Sequence, residues 1–122
     1  MPYILIADDH ADIRRLLSIT LGKQYEIIEA DNGTAALYAI GKYRPVAVLL
    51  DVMMPGELDG LQVCARVRAL PALKHTRVVL LTARGQTQDR DAGQQAGADE
   101  YLIKPFSPLQ LIETIERLMP AE

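Results

Sequence analysis

The chain has 122 residues, 49% of them hydrophobic and 24% charged, which is room for one domain's core and excludes both disorder and a second full domain. Thirteen Lys and Arg against 16 Asp and Glu give a net charge of −3, and the basic residues are scattered, so direct nucleic-acid binding through a cationic face has no support. No uncharged apolar run reaches the roughly 18 residues of a membrane span, no basic stretch precedes Asp8 and Asp9 as a signal peptide would require, and a lone Cys64 fits a reducing cytoplasm.

The first element is an apolar run over Tyr3–Ala7, the length of a strand and rich in branched residues. Ile13, Leu16, Leu17 and Leu21 then make a helical stripe that stops at Gly22. Residues 25–30 (YEIIEA) are interrupted by charge, as edge strands usually are. Leu37 and Ile40 anchor a second helix before Pro45, and residues 46–50 (VAVLL) form a fully apolar strand. Asp59 is placed to cap a third helix, whose Val63, Cys64 and Val67 face inward until Pro71. Residues 78–82 (VVLLT) make another apolar strand.

Residues 86–97 (QTQDRDAGQQAG) have only Ala92 and Ala96 to bury, and Gly93 costs about 1 kcal/mol relative to alanine in mid-helix. A helix here is held weakly. Residues 101–103 (YLI) give a second edge strand. The last helix has the best local signal, a Ser107–Gln110 capping box with Pro108 at its first position and a Phe106–Leu111 staple. Its core stripe reads Ile112, Ile115 and Met119.

Strands alternating with helices define an α/β fold on a parallel sheet, doubly wound with helices on both faces. The apolar strands belong in the centre and the charged ones at the edges, which strand order 2-1-3-4-5 satisfies. Ligands of such sheets bind beyond the carboxyl ends of the strands, where the order switches between strands 1 and 3.

Those ends carry Asp8 and Asp9, then Asp51, Thr82 and Lys104. Each has a bland reading: an aspartate caps a helix, a threonine ends a strand, a lysine is solvated. Their convergence is harder to explain blandly. Three crowded carboxylates repel and call for a cation. Hard oxygen ligands suit Mg²⁺, with Mn²⁺ as a substitute. Metal and lysine would neutralise phosphoryl oxygens, the hydroxyl would bind another, and a free carboxylate would attack phosphorus. A P-loop is absent, so the phosphoryl donor is external.

In this order and spacing, Ile6-Ala7-Asp8-Asp9, Leu50 to Gly56 with Asp59-Gly60, Leu81-Thr82-Ala83 and Gly97 to Phe106 resemble the receiver domain of two-component response regulators. The resemblance runs from Tyr3 to Met119 and implies a flavodoxin-like (βα)₅ fold, with residues 1–122 as a single receiver. It implies Asp51 as phosphoacceptor. Asp9 resembles the direct Mg²⁺ ligand, Asp8 its water-mediated helper, and the Met53 backbone carbonyl a further ligand. Thr82 matches the switch hydroxyl, Tyr101 the switch aromatic and Lys104 the phosphoryl-binding lysine, with a cis Lys104–Pro105 bond. Met53 and Arg84 match the positions that tune dephosphorylation. The implied partners are a histidine kinase or phosphotransfer protein upstream and an output domain or target protein downstream, in the cytoplasm and without membrane contact.

Two departures stand out. The loop from Met54 to Gly60 is one residue longer than the family's usual form. The last helix carries Glu113 and Glu116 where receivers of the winged-helix transcription-factor class carry arginine for dimer salt bridges. An Mg²⁺-dependent aspartyl-phosphate phosphohydrolase is the enzyme-class rival, but Met53 stands where its general acid would be. A receiver-like module that is never phosphorylated would have lost an acid or the lysine, and all are kept. His10 and His75 read as a pocket-rim and a turn residue.

Overall fold

The computed structural model describes residues 1–83 and 87–119, residues 87–90 by their backbone alone. Strands β1 (Tyr3–Ala7), β2 (Glu26–Ala30), β3 (Ala47–Asp51), β4 (Arg77–Ala83) and β5 (Glu100–Lys104) form one parallel sheet in the order β2-β1-β3-β4-β5. They alternate with helices α1 (Ala11–Leu21), α2 (Gly33–Tyr43), α3 (Gly60–Ala69), α4 (Thr87–Ala96) and α5 (Pro108–Leu118). The expected fold class and strand order are both present.

The sheet explains why its central strands are apolar at every position. Leu5, Val48, Leu50, Val78 and Leu80 point to one side, where they pack with Ala36 and Ile40 of α2 and Val63, Cys64 and Val67 of α3. Ile4, Ile6, Leu49, Val79 and Leu81 point to the other, against Leu17 and Leu21 of α1 and Leu111 and Ile115 of α5. With both faces covered, no alternation of polar and apolar residues is possible. Each such leucine or isoleucine contributes about 1.5–3 kcal/mol by leaving water. The edges β2 and β5 keep charged residues exposed or half-exposed.

Local signals set the helix starts. The Asn32 side chain accepts the Ala35 N–H at 2.8 Å to cap α2. Asp59 and Gln62 exchange two 2.9 Å bonds at the start of α3, and Ser107 and Gln110 do the same for α5 at 2.8 and 3.1 Å. Helix α3 stops at Ala69, where Leu70 precedes Pro71 and a 3₁₀ turn over Pro71–Leu73.

Two expected core residues are not core. Leu16 is 39% exposed and Ile112 36%. In α1 the buried line runs through Leu17 and Leu21, and Leu16 lies about 100° round the helix from Leu17. In α5 the line is Leu111, Thr114 and Ile115. The sequence stripe missed it because its middle member is polar: Thr114 is buried by donating its hydroxyl to the Gln110 carbonyl at 2.8 Å.

Helix α4 is held at its C-terminal end by a side chain from α3. Arg68 donates to the Gly97 and Thr76 carbonyls, each at 2.7 Å, and to Asp99 Oδ2 at 2.5 Å. The same Asp99 oxygen accepts the Val78 N–H at 2.8 Å, joining α3, α4 and β4 at one point. The sequence carries no periodic signal for this clamp.

Gly93 is a packing residue. A Cβ there would lie 2.5 Å from Leu80 Cδ1 and 2.7 Å from Tyr101 Cε1, so the glycine makes room for the Tyr101 ring. Propensity alone favours alanine by about 1 kcal/mol, but overpacking costs about 1–3 kcal/mol. Gly93→Ala is therefore expected to lower the urea midpoint of unfolding. A higher midpoint would show that the ring moves aside freely.

Candidate functional site

Register brings the acids together. Ala7 pairs with Leu50 across β1 and β3, so Asp8, one residue past β1, stands beside Asp51 at the end of β3. Asp51 pairs in turn with Leu81 of β4, which puts Thr82 at the adjoining strand end, and Ala83 pairs with Lys104 of β5. Asp8, Asp51 and Thr82 are buried, Asp9 is exposed at the rim, and Lys104 is half-buried.

The bland capping reading of the acid pair fails. The cap residue of α1 is His10, which makes no side-chain cap bond. Asp8 instead accepts the His10 N–H at 2.9 Å and faces the pocket. Its other oxygen takes Lys104 Nζ at 2.8 Å. The same ammonium lies 3.3 Å from Asp51 Oδ2, and Asp51 Oδ1 accepts the Met53 N–H at 3.2 Å. Arg14 braces the corner from behind, donating to the Asp8 carbonyl at 2.7 Å and to Glu29 at 3.1 Å.

One ammonium does not balance these carboxylates. Burial and the neighbouring Asp8 charge push the Asp51 carboxyl up to about 6, against the opposing pull of Lys104 and the Met53 N–H. Burial also works against Asp8, but its bonds from Lys104 and His10 outweigh that and hold its carboxyl below the usual range. Lys104 is raised, because the bond to Asp8 and the Asp51 charge overcome its own burial. Asp8 thus keeps the lysine, and Asp51 is left the basic carboxylate of the pair.

Asp8, Asp9, His10 and Asp51 present ligand atoms within 4.8 Å of one another, a group that could hold a metal ion. The donor set fits a divalent cation: burial and then the Asp8 charge raise Asp51, and a nearby cation would offset both. His10 is the member the sequence placed only at the rim. The signal for it was local: its N–H and ring nitrogen both reach back two residues to Asp8.

The remaining expected residues are placed as follows. Met53 is 72% exposed beside Asp51, whereas Met54 is buried. The longer loop closes where the Gly60 N–H bonds the Val52 carbonyl at 3.1 Å, and a Cβ on Gly60 would strike the Asp51 carbonyl. Tyr101 is half-buried, its ring edge close against Gly93. The Lys104–Pro105 bond is cis. Arg84 lies outside the described residues.

The response regulator receiver domain family matches residues 4–116. The chain is 41% identical over 117 residues to the transcriptional regulatory protein ResD of Bacillus subtilis, covering 95% of this chain and 47% of that protein. It is 40% identical to the transcriptional regulatory protein SrrA of Staphylococcus aureus over the same shares. It thus spans about half the length of these curated relatives. Among solved structures, a response regulator from Chloroflexus aurantiacus superposes with a TM-score of 0.90 at 38% identity, over 96% of both chains. The Vibrio cholerae chemotaxis protein CheY4 gives 0.89 at 32% identity, over 98% of this chain and 99% of that one.

Proposed function

The chain belongs to the response regulator receiver domain family, and from that membership we propose that Asp51 accepts a phosphoryl group from a histidine kinase or phosphotransfer protein. The observation that carries this is one ammonium, Lys104, shared between Asp8 and Asp51 in a charge-unbalanced pocket. Asp9, Asp8, Asp51 and the Met53 carbonyl would hold Mg²⁺, or Mn²⁺ in its place. Bound there, the cation would keep Asp51 ionised and neutralise phosphoryl oxygens.

In the transfer, an Asp51 carboxylate oxygen forms a bond to phosphorus while the P–N bond of the donor phosphohistidine breaks, and the imidazole leaves and takes up a proton. Lys104, already shared between Asp8 and Asp51, turns its ammonium to the incoming phosphoryl oxygens. The Thr82 hydroxyl, at the neighbouring strand end, donates to another of those oxygens. Tyr101 and α4 then respond together, because the ring occupies the space that Gly93 leaves open. The surface of α4, β5 and α5 thereby signals to an output domain or target protein. The domain turns over no outside substrate.

We read residues 1–122 as one receiver domain working in the cytoplasm. Its one cysteine is buried, with a thiol that burial pushes up to about 11, as suits a reducing compartment with no disulfide role. No helix among the described residues is long and apolar enough to cross a membrane.

Incubation with acetyl phosphate and Mg²⁺ should add the mass of one phosphoryl group, labile to hydroxylamine as an acyl phosphate is. Asp9→Ala should lose this uptake by losing the cation. Full uptake by Asp9→Ala without any divalent ion would remove the metal from the scheme.

A further inference from the structure

We propose that His10 is a nitrogen ligand of the cation site, making it a mixed nitrogen and oxygen site that favours imidazole-binding later first-row ions such as Ni²⁺ over Mg²⁺. His10 Nδ1 lies 3.0 Å from Asp8 Oδ1 and 3.2 Å from Asp9 Oδ1. Around an ion bound at about 2.1 Å, adjacent ligand atoms of an octahedron stand about 3.0 Å apart, and those of a tetrahedron about 3.4 Å. The histidine nitrogen already stands at that spacing from each of the two carboxylate oxygens.

The backbone holds the ring there. His10 is the cap residue of α1, in extended conformation, with its N–H on Asp8 Oδ1 at 2.9 Å. That bond places backbone and ring on the same carboxylate and turns Nδ1 toward the acids. With His10 61% exposed and Asp9 34%, an ion can enter from solvent. Carboxylates alone bind Mg²⁺ and the heavier ions by the same hard-oxygen chemistry. An imidazole adds affinity selectively for the ions later in the first-row series, because Mg²⁺ gains little from nitrogen. The histidine therefore sets which metal the site prefers.

The inference rests on the reading of this pocket as a divalent-cation site and is independent of phosphoryl transfer. The test measures Mg²⁺ and Ni²⁺ affinity of the whole chain by calorimetry, in the wild type, His10→Ala and His10→Gln. Both variants should weaken Ni²⁺ by about tenfold or more and change Mg²⁺ by less than about twofold. Pulsed electron paramagnetic resonance of bound Mn²⁺ should show coupling to one imidazole nitrogen in the wild type and none in either variant. Equal losses for both ions, or no nitrogen coupling in the wild type, would overturn the assignment. So would Ni²⁺ binding that survives Asp9→Ala, since it would place the ion elsewhere, for example at the exposed His75. Absence of any Mg²⁺ binding to the wild type would instead remove the cation site itself.

Discussion

Asp51→Asn is expected to stabilise the metal-free protein above pH 6 and to abolish the stabilisation that Mg²⁺ gives the wild type. The folded-state carboxyl is raised from 3.8 to about 6 by burial and the Asp8 charge. A raised carboxyl binds its proton more tightly in the folded than in the unfolded state. Below about pH 4 both states are protonated and Asp51 costs nothing. As pH climbs to about 6 the unfolded state ionises first and stability falls; above that the cost is complete. At 1.36 kcal/mol per unit the full shift corresponds to about 3 kcal/mol. Asp8 has the opposite sign: its lowered carboxyl contributes stability that is lost as pH falls below its ordinary value. Part of the Asp51 cost is therefore shared with its partner, and the asparagine variant should gain about 1–3 kcal/mol at pH 7. Urea unfolding at pH 4 and pH 7, with and without Mg²⁺, reads this directly. A variant less stable than the wild type at pH 7 without metal would mean that Lys104 already neutralises Asp51.

Phosphoryl lifetime should be long, and a double substitution should shorten it by about 5- to 30-fold. Hydrolysis needs a water in line with phosphorus, opposite the carboxylate oxygen. Met53 reaches the rim from a backbone whose N–H bonds Asp51 Oδ1, and its thioether is a poor hydrogen-bond partner for that water. Arg84 has no acceptor or basic atom to offer. One oriented water contact is worth about 1–2 kcal/mol, which sets the expected acceleration in Met53→Asn with Arg84→Glu. Decay is followed at equal Mg²⁺ with no kinase present. If the double variant decays no faster, these side chains do not control the water.

The elements were legible because their signals are local or repeat at short range. Apolar runs marked the central strands, and reciprocal Ser107–Gln110 bonds marked the start of α5. The acids, threonine and lysine were legible as neighbours because strand ends are easy to place once the sheet order is known. What stayed hidden depends on pairings between distant residues or on polar atoms satisfied out of sight. Thr114 looks like a surface residue until its hydroxyl is seen on Gln110. Arg68 looks like a solvated cation, yet it ties Gly97, Thr76 and Asp99 together. Gly93 reads as a helix breaker although Tyr101 fills the volume it leaves. His10 follows the acid pair in sequence, but only its ring orientation shows that it belongs to the pocket.

The central claim is that Asp51 is the group that becomes phosphorylated. Borohydride reduction of the acetyl phosphate-treated protein converts an aspartyl phosphate to homoserine, which peptide mass spectrometry locates. The predicted result is homoserine at position 51 alone, requiring Mg²⁺ and absent from Asp51→Asn. Homoserine at position 8 or 9, or phosphoryl uptake that persists in Asp51→Asn, would contradict the account.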